Sequence, residues 1–391
     1  MNNTKWTLGL VLVLTALNAN SGELFPDLPK SAIPTIRELP KTGHIVLDIQ
    51  TDVLSGDPVR LPDGSTAVEI GVFDLEKKNE SKWIPENNIP MHVDGSCAIC
   101  IMRASWNASS RQLFLALKEH AYLIADNGVG TVINMKMPGM SLAYSKAKNF
   151  TISSDGQQIA FTVSARDEAE KFSVEGDSLA YKYGKLYEEL DYESTLGSEP
   201  IRVAPGHPGT SLAWSPNGKY IAYGTSSVPA SEIEGIVVVD LTGNIVTTAR
   251  PVLSSKTVGN KYVGNVRWRP DGKKIGFILS GEWYEDGKRV GGKPAFYTVD
   301  SDGQNLKPVK IGDKDIDVSA FAWSPSGDQI VLRSDYEAKK LCSFNAMFYA
   351  QTGGQPCRDS ELLYVSNSDG SGLKRISKDS KYRHGQLFWI Q

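Results

Sequence analysis

Four cysteines, five histidines and one run of alternating aspartates carry the side chains in this chain best suited to chemistry. Cys97 and Cys100 stand as CxxC in MHVDGSCAIC, five residues after His92. That spacing suits a small structural disulfide, half of a metal site completed by His92, or a redox pair. A haem attachment needs histidine at 101, where Ile101 stands, and a four-cysteine zinc site needs a second CxxC, which the sequence lacks. Cys342 and Cys357 bracket LCSFNAMFYAQTGGQPC and are expected to pair, closing a loop of about 15 residues that contributes on the order of 3 kcal/mol. Met135 and Met137, with His92 nearby in type, are soft ligands that suit Cu(I); their alternation equally suits packing along one strand face. Asp313, Asp315 and Asp317 alternate as oxygen ligands for Ca²⁺ can, without the glycine and terminal glutamate of an EF-hand. His207 lies in GHPG and His384 just before QLFW.

None of these makes a recognisable catalytic signature. GxSxG, HExxH and a phosphate-binding Walker loop are all absent. No cofactor is predicted; Ca²⁺ or a transition metal would have to come from the groups just named. Net charge is −3 with scattered Lys and Arg, which gives no basic footprint for nucleic acid.

The elements that must position these residues recur. WSPNGKYIAY (Trp214 to Tyr223) returns as WRPDGKKIGF (Trp268 to Phe277) and WSPSGDQIVL (Trp323 to Leu332), at intervals of 54 and 55 residues. Intervals of that size mark a repeat architecture. Each copy is an apolar run, a Pro-x-Gly centre and a second β-rich run, the grammar of two antiparallel strands joined by a reverse turn. The tryptophan before the turn is expected to pack between neighbouring units. Looser copies begin at Trp106 (WNASSRQLFLA) and Ile152 (ISSDGQQIAF).

A sixth copy is split between the ends of the chain. QLFWIQ (Gln386 to Gln391) matches the strand before the turn and then stops, while TGHIVLDI (Thr42 to Ile49) and AVEIGVFDLE (Ala67 to Glu76) supply a second and third strand. The marks at 106, 152, 214, 268, 323 and 389 count six units. The expected fold is an all-β, six-bladed β-propeller closed by pairing the C-terminal strand with N-terminal strands, which removes open sheet edges.

The hairpin FYTVDSDGQ, the run LLYVSNSDGSG and the short LKRIS strand complete the pattern, and together with the WSPNGK turns they make the chain resemble the TolB-like β-propeller repeat family over about residues 42–391. The resemblance implies the fold and leaves the activity open. TolB itself carries a separate α/β domain before its propeller, whereas here a short Pro-rich arm precedes the repeats, so a role in the Tol system is not implied. In such a ring the loops entering the innermost strands and those joining second to third strands share one face. His92, His207, His384 and the Asp313–Asp317 loop fall there, with the insertions 166–184 and 336–361.

The first residues read as an address. Lys5 precedes an apolar core from Leu8 to Leu17 and the small-residue stretch ALNANSG, a secretory signal peptide with cleavage after Ala19, Ser21 or Gly22. Residues 1–22 are therefore expected to be removed, 23–41 to form the Pro-rich arm and 42–391 the propeller. The mature protein is expected in the periplasm or secreted, with no transmembrane anchor after cleavage. The favoured reading is a non-enzymatic scaffold binding a protein or cell-envelope component through its decorated face. The alternative is a metal-assisted hydrolase or lyase using His92, His207, His384 and nearby carboxylates at the channel mouth, with copper handling behind it.

Overall fold

The computed structural model describes residues 34–50, 70–83, 103–108, 110–116, 121–134, 148–154, 159–162, 179–182, 194–195, 201–204, 208–225, 235–249, 258–285, 288–289, 294–313, 316–337, 361–377 and 385–390. Among the described residues the regular structure is almost entirely β-strand, arranged as a propeller. The repeat centres are reverse turns as their sequences require. In Ser215–Gly218 the Gly218 amide donates to the Ser215 carbonyl at 2.9 Å, and Gly272 and Gly327 close their turns on Arg269 and Ser324 at 2.8 Å each. All three glycines have φ between +70° and +77°, a region closed to most side chains.

The described strands fall into six sheets. Three are built on the tryptophan turns. Pro208–Trp214, Tyr220–Thr225, Ile236–Asp240 and Ile245–Ala249 form one, and Ala320–Trp323, Gln329–Ser334, Leu362–Asn367 and Lys374–Arg375 another. The third pairs Val258–Trp268 with Lys274–Glu285, then Ala295–Asp300 and Lys307–Pro308. The sheet at Trp106 runs from Arg103–Asn107 outward to Gly130–Asn134, and that at Ile152 from Lys148–Ile152 to Ile201–Ala204. In the sixth, Gly385–Trp389 lies antiparallel to Ile45–Gln50, with Val46 opposite Trp389 and Asp48 opposite Leu387. Ile70–Asp74 and Asn79–Trp83 continue it outward. The innermost strands neighbour one another in chain order from Arg103–Asn107 to Gly385–Trp389, and the last also neighbours the first.

Besides Lys288–Arg289, which pairs with the end of Lys274–Glu285, two described strands have no counterpart in the repeat pattern. Thr35–Ile36 adds to the outer edge of the sixth sheet, parallel to Lys82–Trp83, so the described part of the lead-in is packed on the sheet there. Leu39 is buried there, its amide donating to the Asp126 carbonyl at 2.7 Å, and Trp83 Nε1 donates to the Arg37 carbonyl at 3.0 Å. Ser194–Thr195 leaves the Ile152 sheet to pair in parallel with Ile133–Asn134 of its neighbour. Both are two-residue pairings, too short to leave a period in the sequence.

The core lies between sheets rather than inside one. Ala213, Ala222 and Val238 of one sheet pack on Trp268, Phe277 and Val299 of the next. Ile278 and Phe296 pack in turn on Phe321, Trp323 and Leu332. Val331 and Leu363 meet Val46, Phe73 and Leu387. The tryptophans reach backwards: Trp268 Nε1 donates to the Ala213 carbonyl at 3.2 Å and Trp323 Nε1 to the Arg267 carbonyl at 3.4 Å.

Close approach makes one glycine indispensable. A Cβ on Gly224 would stand 2.3 Å from the Val263 carbonyl oxygen of the adjoining sheet, and only backbone movement could relieve that. Gly130, whose added Cβ would meet Ile124 at 3.7 Å, is the matched control. Gly224→Ala should cost about 1–3 kcal/mol by overpacking, visible as a fall in the denaturant midpoint, while Gly130→Ala should stay within about 0.5 kcal/mol of wild type. Equal midpoints for the two variants would contradict the sheet-to-sheet contact.

Candidate functional site: the loop-bearing face and the charges beneath it

Antiparallel strands put the Ser-Pro-type turns at one end of each sheet and the connections from second to third strand at the other. Residues 338–360 connect two such strands, and both ends of that connection stand on a buried charge cluster. Arg333, next to last in Gln329–Ser334, is 1% exposed. Its Nη2 donates to Oδ1 of Asp48, which belongs to the Ile45–Gln50 strand of the neighbouring sheet and is 3% exposed. Its Nε lies 3.7 Å from Oε2 of Glu361, the residue that leads into Leu362–Asn367. The Ser319 amide donates to the Arg333 carbonyl at 3.0 Å, and the Ser319 hydroxyl donates to the same carbonyl at 3.4 Å.

Burial dominates the electrostatics here. It pushes Glu361 up to about 7, with Arg333 and Ser319 pulling the other way and Asp335 and Asp48 adding to the rise. Asp48 is raised by the same burial, against the attraction and hydrogen bond of Arg333. Protonation of Glu361, which its burial favours, removes one negative charge from beside Arg333 and Asp48 and so lowers the cost of holding charge in an apolar wall. Nε and Nη1 of Arg333 and Oε2 of Glu361 are buried and make no hydrogen bond. The cluster can therefore fasten two sheets, hold one proton, and set the root of residues 338–360.

The same end of the molecule carries a rigid projection. Lys274–Glu285 continues six residues past the level at which its aligned counterpart Gln329–Ser334 stops, about 20 Å at 3.4 Å per residue. Val258–Gly264 pairs with it in register, Val258 opposite Tyr284 and Tyr262 opposite Ser280, and Lys288–Arg289 adds a short third strand. Val263 faces the neighbouring sheet, buried at 3%, so its strand neighbour Tyr262 points away from it and is 45% exposed. Of the large apolar residues exposed among those described, Val129, Ile245 and Val246 sit beside turns at the other end, and Tyr262 alone is at this one.

The residues singled out by type fare differently. His92, His207, His384, Cys97, Cys100, Cys342, Cys357, Met135, Met137 and Asp315 lie outside the described residues. Asp313 is exposed and Asp317 partly buried on the segment leading to Ala320–Trp323. That segment is held by Ile311, Ile316 and Val318, all buried, and by the Gly312 amide donating to the Gly370 carbonyl at 2.9 Å. Among the described residues no group of three His, Cys, Asp or Glu side chains is placed to hold a metal ion. Nor is any helix among them long and apolar enough to cross a membrane. His44 lies at the turn end, 3.5 Å from Glu76 and edge-on to Trp389 at 6.0 Å.

Arg333, Asp48 and Glu361 escaped the reading by residue type. For Asp48 and Arg333 a faint signal was available, a single charge inside the apolar runs IVLDI and QIVLRS, while Glu361 lies in neither run.

No protein-family model matches the sequence, and no curated protein matches it. Solved structures do. TolB from Acinetobacter baumannii aligns with 89% of this chain and 66% of its own length at 14% identity, with a TM-score of 0.50. A candidate TolB from Agrobacterium tumefaciens aligns with 86% of this chain and 89% of its own at 14% identity and a TM-score of 0.49. An oligogalacturonate lyase in complex with manganese aligns with 87% and 83% at 12% identity and a TM-score of 0.43.

Because Glu361 is raised from 4.5 to about 7, the folded chain binds more protons than the unfolded one between those values. Stability from this group is therefore full below pH 4.5 and is lost as pH rises towards 7, by on the order of 2–3 kcal/mol. Glu361→Gln should flatten that part of the pH–stability curve; an unchanged slope would remove the buried acid from the account. Arg333→Met should cost about 3–5 kcal/mol at pH 7 by stranding Asp48, and adding Asp48→Leu should recover part of it, as measured by urea unfolding. At this identity the structural likeness is one of fold: the chain is built like the propeller of the Acinetobacter baumannii TolB.

Proposed function

We propose that this chain is an exported, non-catalytic propeller that binds a protein or cell-envelope component through its loop-bearing face. In this reading each of the six sheets is a blade of a ring spanning residues 42–391. The ring is closed by the strand pairing of residues 45–50 with 385–389. Residues 1–22 are a signal peptide removed on export to the periplasm or beyond, and 23–41 are an arm laid along the ring. The apolar core from Leu8 to Leu17 supports the address.

One observation carries the binding role. The ribbon of Val258–Trp268 and Lys274–Glu285 is a strand pair longer than its aligned counterpart, and it presents the exposed side chain of Tyr262 at the end opposite the Ser-Pro-type turns. A protein that needed only a closed ring has no use for the five extra residue pairs from Tyr262–Ser280 to Val258–Tyr284. Exposed tyrosine on a rigid strand supplies contact area with little ordering cost, which is the use partner-binding surfaces make of it.

The address and the role are tested separately. The intact mass of the exported chain should correspond to a start at Asn20, Gly22 or Glu23; a full-length mass in the exported fraction would overturn the leader assignment. For binding, the exported chain is cross-linked in its native envelope, with Tyr262→Ser and Val129→Ser in parallel. Tyr262→Ser should lose several-fold of a discrete cross-linked species that Val129→Ser retains. Equal yields from all three proteins would count against the ribbon as the contact surface.

A further inference from the structure

The centre of the molecule holds a second unusual arginine, at the other end from Arg333. Arg267 is next to last in Val258–Trp268, and its Cζ stands 4.6 Å from the centroid of the Phe388 ring, on Gly385–Trp389. Those strands are not neighbours, because Ala320–Trp323 lies between them. The side chain therefore reaches across the middle of the sheets rather than along an interface. Alignment on the residue before each turn puts Ser105, Thr151, Ala213, Arg267, Ala322 and Phe388 at one level. Five of the six are neutral, and four of those are small.

The guanidinium is held in place and left without a counter-charge. Nε donates to Oδ1 of Asn265 at 3.1 Å, and Asn265 itself has φ of 52° at an irregularity in the strand pairing between Gly264 and Arg267. That bond uses Nε alone, and neither Nη1 nor Nη2 makes a hydrogen bond among the described residues. No ion pair to Arg267 occurs among the described residues. By the same alignment the level above carries Arg103, Asn149, Ser211, Asn265, Ala320 and Gln386, one basic residue and five neutral ones with no carboxylate; there Ser211 accepts from the Val266 amide at 2.8 Å and Gln386 from the Ala104 amide at 3.0 Å. Burial alone pulls the Arg267 pKa down to about 10, with no carboxylate raising it.

We propose that Arg267 is an anion site on the axis of the propeller, which takes the carboxylate of a small molecule entering from the turn-bearing end. A partly buried cation that meets no counter-charge among the described residues has an unmet demand for a counter-ion, and a confined site without carboxylates favours the oppositely charged species. The open Nη pair matches two carboxylate oxygens in parallel, while the Phe388 face fixes the plane of the group. The loop-bearing face takes no part, so this site stands or falls apart from the partner-binding reading.

Phenylglyoxal, which modifies accessible guanidinium groups, is the probe, with peptide mass spectrometry locating the adduct and acetate or chloride at equal ionic strength as competitor. Arg267 should be modified in the folded protein, and acetate at about twice its dissociation constant should slow that modification about threefold where chloride does not. Inorganic phosphate run alongside separates a carboxylate site from a general anion site, and equal protection by phosphate or chloride overturns the carboxylate assignment. Saturation-transfer NMR on acetate gives a second reading, with signal expected from wild type and lost in Arg267→Gln. No adduct at Arg267 in the folded chain, or no acetate protection, overturns the proposal even if Arg267→Gln fails to fold.

Discussion

Strands apolar on both faces oblige each sheet to be covered on both sides, and that single requirement organises the molecule. Ile221, Val237 and Val239 turn to one neighbour while Ala222, Ile236 and Val238 turn to the other, along the same strands. A sheet of this kind cannot end in water without leaving an apolar wall exposed. Stacking face to face around a centre meets the requirement, and the indoles of Trp268 and Trp323 add a directional term by bonding the carbonyls of the sheet behind. The strand pairing of Val46 with Trp389 belongs to the same logic, since it gives the first and last segments of the chain a common sheet to cover.

Against that apolar background the charged side chains acquire meaning. Arg333 and Asp48 face each other across two sheets amid Val46, Val331 and Leu387. Taking such groups out of water costs several kcal/mol each, so the pair is weak as a source of stability and strong as a source of register. Only one juxtaposition of the two sheets satisfies both charges. Glu361 completes the cluster as an acid that burial holds near neutrality, and it stands where residues 338–360 return to the sheet. Packing, register and the origin of the longest described break in that sheet meet at one place.

The two ends of the propeller are then chemically unlike. The turn end is compact, with four-residue turns closed by glycine and short Asp and Asn caps such as Asp240, whose carboxylate is held well below its usual range by Thr242 and Asn244. The other end carries the ribbon at Tyr262 and the rooted connection above Arg333. A partner needs projections and area; a small anion needs a confined charge. In the proposed reading the first belongs to strand ends and the second to the axis, where Arg267 alone at its level of the alignment carries charge.

Much of the scaffold was legible in the residues. The 54- and 55-residue intervals, Pro followed by Gly two positions on, and the strand-like ends of the chain specified hairpins and the partnership of Gln386–Gln391 with the segment after His44, because turn chemistry and alternation are local. The short pairings of Thr35–Ile36 and Ser194–Thr195 were not legible, since two residues leave no period. Nor was the ribbon, because strand length beyond the turn depends on the neighbour that Val263 meets at Gly224. The site candidates chosen by side-chain type largely fall outside the described residues. Those that geometry supplied instead, Arg333, Asp48, Glu361 and Arg267, were unremarkable one at a time. Sequence by itself determined the repeat, its turns and its all-β character. Tertiary structure decided which lone charges would meet and which would stand alone, because proximity across more than 280 residues, as between Asp48 and Arg333, is a property of packing and not of the chain.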